Sequence, residues 1–100
     1  LLRKFGSLKA VREGLERVVA DPRWTGYGTI RLDAIQIAGK TGTAETAVEG
    51  ADHAWFAGYA PAGDPKVAFV VVLEHAGSAE EAAGPVAKRL VLRMRQLGLL

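Results

Sequence analysis

The seven residues Val67-Ala68-Phe69-Val70-Val71-Val72-Leu73 carry no polar side chain. Laid out as a strand they are apolar on both faces, which predicts that both faces are covered. That strand is expected from Lys66 to His75. Before it, Pro61-Ala62-Gly63-Asp64-Pro65 leaves room only for a tight connection. His53-Ala54-Trp55-Phe56-Ala57-Gly58-Tyr59-Ala60 reads as an aromatic-rich strand, with Gly58 permitting close backbone approach. Glu49-Gly50-Ala51-Asp52 is turn chemistry. Further back, Ile30, Leu32, Ile35 and Ile37 alternate with a slip at Asp33-Ala34, and a main strand is expected from about Gln36 to Glu45. Connections this short predict an antiparallel meander.

A helical pattern flanks the strands on each side. Leu8, Val11, Leu15, Val18 and Val19 form one apolar stripe, with Ser7 as the expected N-cap. Lys9, Arg12, Glu13, Glu16 and Arg17 form the polar face, and Glu13 and Arg17 stand four apart in the favourable order. Gly14 inside a helix costs about 1 kcal/mol against Ala; a close helix approach would explain it, but the sequence shows none. Asp21-Pro22 ends the helix, because the residue before proline avoids helical dihedrals. Arg23-Trp24-Thr25-Gly26-Tyr27-Gly28-Thr29 reads as a loop, with two alternatives: a surface loop pinned by buried aromatic rings, which is the favoured one, or a loop that folds over something. After the third strand, Ala76-Gly77-Ser78 is a break and Ser78-Ala79-Glu80-Glu81 has the form of a capping box. Val86, Leu90, Met94 and Leu97 continue as a stripe, Pro85 either kinks the helix or leaves it regular only from there on, and Gly98 stops it. The order is helix, three strands, helix: an α+β chain with a three-stranded antiparallel meander, read as one partial domain over residues 1–100.

Composition excludes several classes. With 13 basic and 11 acidic residues and a net charge of +2, the chain is too balanced to argue for nucleic acid. Lys88, Arg89, Arg93 and Arg95 fit a solvated face near a helix C-terminus. There is no cysteine, hence no disulfide and no thiolate metal site. No apolar run approaches ~20 residues, so no membrane contact is expected from this segment. His53 and His75 are the only histidines, and neither has a second ligand at i+3 or i+4. They read as structural residues at strand ends. No metal and no cofactor is expected.

The chemistry concentrates in Ala38-Gly39-Lys40-Thr41-Gly42-Thr43-Ala44-Glu45. On a strand, Lys40 fixes a compact positive charge with three donors. Thr41 and Thr43 share one face and Lys40 takes the other, unless a twist or the length of its stem brings its head into the same cleft. Gly42 would let a substrate backbone lie close. An extended peptide can pair along such a strand, and the amide of Thr43 can donate to a developing oxyanion. The set suits a ligand with a carboxylate and a carbonyl, such as a peptide C-terminus. A phosphate-binding loop is the rival: Gly39-Lys40-Thr41 sits where such a motif ends. Ile35-Gln36-Ile37-Ala38 lacks the glycines a phosphate cradle needs, and no apolar helical pattern begins at Thr41.

Ala38-Gly39-Lys40-Thr41-Gly42-Thr43-Ala44-Glu45, followed by His53 to Pro61 and Val67 to Glu74, resembles the C-terminal part of a penicillin-binding protein transpeptidase domain, and details including the ending Leu73-Glu74-His75 look most like the class B, elongation-type enzymes. Val11, Gly14, Leu15, Val18 and Val19, then Gly28-Thr29, match the usual lead-in, so the resemblance covers nearly the whole chain. It implies a piece of the penicillin-binding/β-lactamase-like transpeptidase fold. In that family an active serine attacks the penultimate D-alanine carbonyl of a peptidoglycan stem peptide, releases D-alanine and passes the acyl group to an amine; β-lactams acylate the same serine. The resemblance implies catalytic roles for Lys40, in electrostatic stabilisation and proton transfer, and for Thr43, whose amide forms half of the oxyanion hole. It makes Thr41, Gly42 and Thr43 substrate-binding, with the two hydroxyls on the carboxylate of the stem peptide or β-lactam.

The family's other two motifs, Ser-x-x-Lys and Ser-x-Asn, are not present. The only serines are Ser7 and Ser78, followed three residues on by Ala10 and Glu81. The chain is therefore expected to be one wall of the site, inactive alone, whose partner is the missing N-terminal part of the domain. The resemblance implies an extracytoplasmic setting on the periplasmic side, with the membrane anchor in another segment. The missing mass predicts a bare sheet edge along Val67 to Leu73 and, through it, a homodimer or swapped assembly. A non-catalytic interaction or scaffold role is the alternative.

Overall fold

The computed structural model describes residues 5–45, 52–78 and 81–100. Five elements follow one another: α1 (Phe5–Ala20), β1 (Ala38–Ala44), β2 (His53–Ala60), β3 (Val67–Leu73) and α2 (Ala83–Gln96). The strands form one sheet in the order β1-β2-β3, antiparallel throughout. The α+β meander expected from the sequence is the one observed. The expected turn at Glu49-Gly50-Ala51 lies outside the described residues.

α1 begins at Phe5, so Ser7 lies inside the helix rather than capping it. The helix ends where Asp21-Pro22 requires, and the Asp21 N–H still reaches the Arg17 carbonyl at 3.0 Å. Its apolar stripe is buried only at the C-terminal end: Val19 is 2% exposed, whereas Val11 is 52% exposed. No close approach explains Gly14, since a Cβ there would meet nothing within 4 Å. Glu13 and Arg17 form no ion pair among the described residues.

Residues 30–37 form no strand, and β1 begins at Ala38 rather than Gln36. The alternation of Ile30, Leu32, Ile35 and Ile37 belongs to an irregular crossing segment. Its branched side chains plug the core, with Ile30 and Ile37 fully buried. The segment bends at an Arg31–Asp33 ion pair of 3.0 Å. The Gln36 carbonyl takes the Ala62 N–H at 2.8 Å, tying the segment to the β2–β3 connection.

The register places Thr41, Phe56 and Val71 in line across the sheet, and Phe56 is fully buried among Val19, Ile37, Ala54, Val71 and the inner face of α2. On α2 the buried residues are Ala83, Gly84, Ala87, Val91 and Met94. Of the expected stripe only Met94 is buried and Leu90 half-buried, while Val86 and Leu97 point outward. The reason is Gly84: a Cβ there would run into Thr29 and Ile30. The helix therefore turns its small residues inward to come close. Pro85 sits in the first turn, where its missing N–H is not needed. The Glu81 N–H does reach Ser78 Oγ at 3.4 Å, but α2 starts only at Ala83, and Ala82 at its N-cap makes no side-chain bond. The serine closes a preceding turn rather than the helix. Gly98 ends α2 with φ of +77°, a conformation that favours glycine.

β3 departs from expectation on one face. Val71 is buried, but Val70 and Val72 are 64% and 58% exposed. Among the described residues nothing covers that face, and β3 lies at the sheet edge.

Candidate functional site

β1 forms the opposite edge of the sheet. Its pairing with β2 runs unbroken from Ala38 opposite Tyr59 to Ala44 opposite His53, so side chains alternate strictly between the faces. Thr41 and Thr43 fall on the face of Phe56 and Ala54, and Thr41 is 7% exposed. Lys40 falls on the other face and is exposed, as the pleat demands. Its ammonium folds back along its own strand and donates to the Thr41 carbonyl at 3.0 Å. Thr43 is exposed.

Gly42 has a reason the sequence does not reveal. It stands opposite Trp55, and a Cβ at residue 42 would lie inside the indole. The missing side chain makes room for Trp55 on the Lys40 face of the sheet. Space for a ligand on that side of Gly42 is taken by the indole.

The loop after α1 is folded over this strand. Asp21 accepts the Arg23 backbone N–H at 2.9 Å and its guanidinium at 2.7 Å. The Gly26 N–H donates to the Val18 carbonyl at 2.9 Å, and Gly26 is pressed against Val19 and Ile30. These bonds, rather than buried rings, pin the loop: Trp24 is 53% exposed, and Tyr27 is half-buried with the Arg31 guanidinium 5.1 Å from its ring centre. They carry Trp24 and Thr25 over β1, where Thr25 Oγ1 lies 2.9 Å from Thr41 Oγ1. A groove of about 420 Å³ results, lined by Gly14, Arg17, Val18, Arg23, Trp24, Thr25 and Lys40. Among the described residues Arg17 and Lys40 have no carboxylate partner, so the groove carries positive potential suited to an anion.

Hydrogen bonds from the Arg23 guanidinium and backbone N–H hold the Asp21 carboxyl at about 2, below its ordinary 3.8. Because the folded value is depressed, the clasp stabilises the loop above the ordinary carboxyl range and is lost as pH falls through the folded value. The Arg23 amide resonance is expected to titrate with a midpoint near 2. A midpoint at 3.8 would mean that the clasp does not persist in solution.

The two histidines meet at the strand ends. The His75 N–H donates to His53 Nδ1 at 2.9 Å, and the rings lie 4.6 Å apart. No three His, Asp or Glu side chains among the described residues are grouped to hold a metal ion. The phosphate-loop alternative fails on geometry: Gly39, Lys40 and Thr41 lie within β1, and among the described residues the next element is the strand β2 rather than a helix. Sequence reasoning singles out Lys40, Thr41, Gly42 and Thr43 but misses Trp24 and Thr25. Two aromatics and two glycines after Asp21-Pro22 are the only signal for that loop.

Residues 5–92 match the family described as the penicillin binding protein transpeptidase domain. The chain belongs to that family. It is 31% identical over 102 residues to the peptidoglycan D,D-transpeptidase MrdA of Haemophilus influenzae, covering 88% of this chain and 16% of the relative. Over 56 residues it is 47% identical to the peptidoglycan D,D-transpeptidase PbpA of Mycolicibacterium smegmatis, covering 53% of this chain and 11% of that protein. Its fold is similar to penicillin-binding protein 2 of Helicobacter pylori in complex with MreC, with a TM-score of 0.85, 31% identity, and 99% of this chain against 19% of that one. It is likewise similar to penicillin-binding protein 2 of Pseudomonas aeruginosa in complex with WCK 5153, with a TM-score of 0.78, 37% identity, and 91% against 19% coverage. The chain thus spans less than a fifth of each of these relatives.

Proposed function

We propose that this chain is the substrate-binding wall of a class B, elongation-type peptidoglycan D,D-transpeptidase acting outside the cytoplasm. The observation that carries the reading is the edge strand β1, on which Lys40 lines a cationic groove, the buried Thr41 bonds to Thr25 in the wall of that groove, and Thr43 is exposed. A stem peptide extends along β1, its terminal carboxylate taken by the hydroxyls of Thr41 and Thr43. The Thr43 amide donates to the carbonyl oxygen as the serine adds to it, where a preorganised donor acts on charge as it develops. Lys40 supplies positive charge and helps the proton leave the nucleophile. The serine lies outside this chain. Once attacked, the carbonyl expels D-alanine, and the acyl group passes to an acceptor amine. The remainder of the domain covers the open face and edge of β3; without it, these surfaces favour a second copy of the chain.

The test is acylation of the full-length protein by a fluorescent penicillin. The wild type is expected to be labelled covalently, and Lys40→Ala to slow labelling by about a hundredfold, the scale for losing one preorganised electrostatic group. A wild type that is never labelled, or a Lys40→Ala variant labelled at the wild-type rate, would sink the reading.

A further inference from the structure

Thr41, one of the two hydroxyls assigned to the substrate carboxylate, already has a protein partner. Thr25 Oγ1 stands 2.9 Å from Thr41 Oγ1, across a gap of 16 residues in the chain. Thr25 is held there from both sides, by the Asp21–Arg23 clasp and by the bond from Gly26 to Val18. The Thr41 side chain is almost fully buried, so it has few other partners to choose from.

A hydroxyl has one proton to give and two lone pairs with which to accept. A carboxylate can only accept. A Thr41 that serves a carboxylate must spend its single proton on it, and Thr25 must then be the donor to Thr41. Without Thr25 no donor fixes the direction of the Thr41 hydroxyl, and it loses the polarisation that a hydroxyl chain confers. Arg17 and Lys40 line the same groove as Thr25 and favour the anion that sets this direction.

We propose that Thr25 is a positioning residue of the carboxylate site, orienting the Thr41 hydroxyl so that it donates to the substrate or β-lactam carboxylate. The inference rests on the reading above, in which Thr41 binds that carboxylate, and it adds a residue from the loop after α1. It predicts that discrimination between a free acid and its ester, rather than overall reactivity, depends on the residue 25 hydroxyl.

The experiment compares acylation of the full-length protein by a fluorescent penicillin and by the methyl ester of the same compound. Thr25→Val keeps the branched shape and removes the hydroxyl; Thr25→Ser keeps the hydroxyl and trims the shape. The acid-to-ester rate ratio is expected to fall about tenfold in Thr25→Val, the size of one hydrogen bond to a charged group. In Thr25→Ser it is expected to return to within about twofold of wild type. Both probes are read on one preparation, so any inactive protein cancels from the ratio, and Thr25→Ala replaces the valine variant if that fails to fold. If the wild type discriminates and the hydroxyl-free variants keep that discrimination, this inference is overturned alone. It is also overturned if Thr25→Ser falls as far as Thr25→Val, since shape would then be the cause. If the wild type reacts equally with acid and ester, the carboxylate reading itself falls and takes this inference with it.

Discussion

Phe56→Ala is expected to destabilise the fold by about 3–5 kcal/mol, the range for truncating an enclosed aromatic side chain. The ring is fully buried at the centre of the sheet face that carries the core. Two glycines make its seat. A Cβ on Gly39 would collide with the tip of the ring, and one on Gly58 would lie 2.6 Å from Phe56 Cε2. Phe69 closes a third side, with ring centres 5.8 Å apart. Walls made of strand backbone cannot collapse into the space left behind, which puts the loss in the upper part of the range for such substitutions. Against a typical domain stability of about 5–15 kcal/mol, a loss of this size removes a large share of the total. Chemical denaturation monitored by tryptophan fluorescence measures it. A loss below about 1 kcal/mol would be that of a surface substitution, and would mean the ring is not enclosed as described.

Gly42→Ala is expected to disable the site without unfolding the sheet. The added methyl overlaps the body of the Trp55 indole, not a flexible tip. Either the indole swings away or β1 shifts against β2, and overpacking of this kind costs about 1–3 kcal/mol. Thr41 and Thr43 flank the altered residue, so a shift of β1 moves both hydroxyls at once. Because the clash is between two named side chains, Trp55→Ala should relieve it. The double variant is expected to recover about 1–3 kcal/mol relative to the sum of the single changes, a coupling typical of residues in direct contact. Thermal denaturation of the four proteins gives the cycle. Simple additivity would show that Gly42 is needed for some reason other than the indole.

Much of the architecture is legible in the sequence because it depends on local pattern. β2 reads as a strand from His53 to Ala60 and is found over those residues, since an aromatic strand between turn residues has few alternatives. The end of α1 at Asp21-Pro22 and the stop of α2 at Gly98 follow from dihedral restrictions that one residue imposes on its neighbours. Local pattern misleads where the tertiary setting decides. The isoleucines of residues 30–37 alternate like a strand, yet they fill holes from an irregular segment. α2 is turned by the contact of Gly84 with Thr29 and Ile30, which no helical periodicity records. The parity of Lys40 against Thr41 and Thr43 is readable from the pleat alone. The bond between Thr25 and Thr41 is not, because it depends on how a loop 16 residues earlier is folded back.

β3 carries one further consequence. Val67 to Leu73 contains no charge and no proline, every second residue from Val70 looks outward, and the strand is outermost in its sheet. That composition is the kind that stacks with copies of itself into fibrillar cross-β order. A ribosome releasing this stretch sets a clock: the valines must find shelter from water before they find one another.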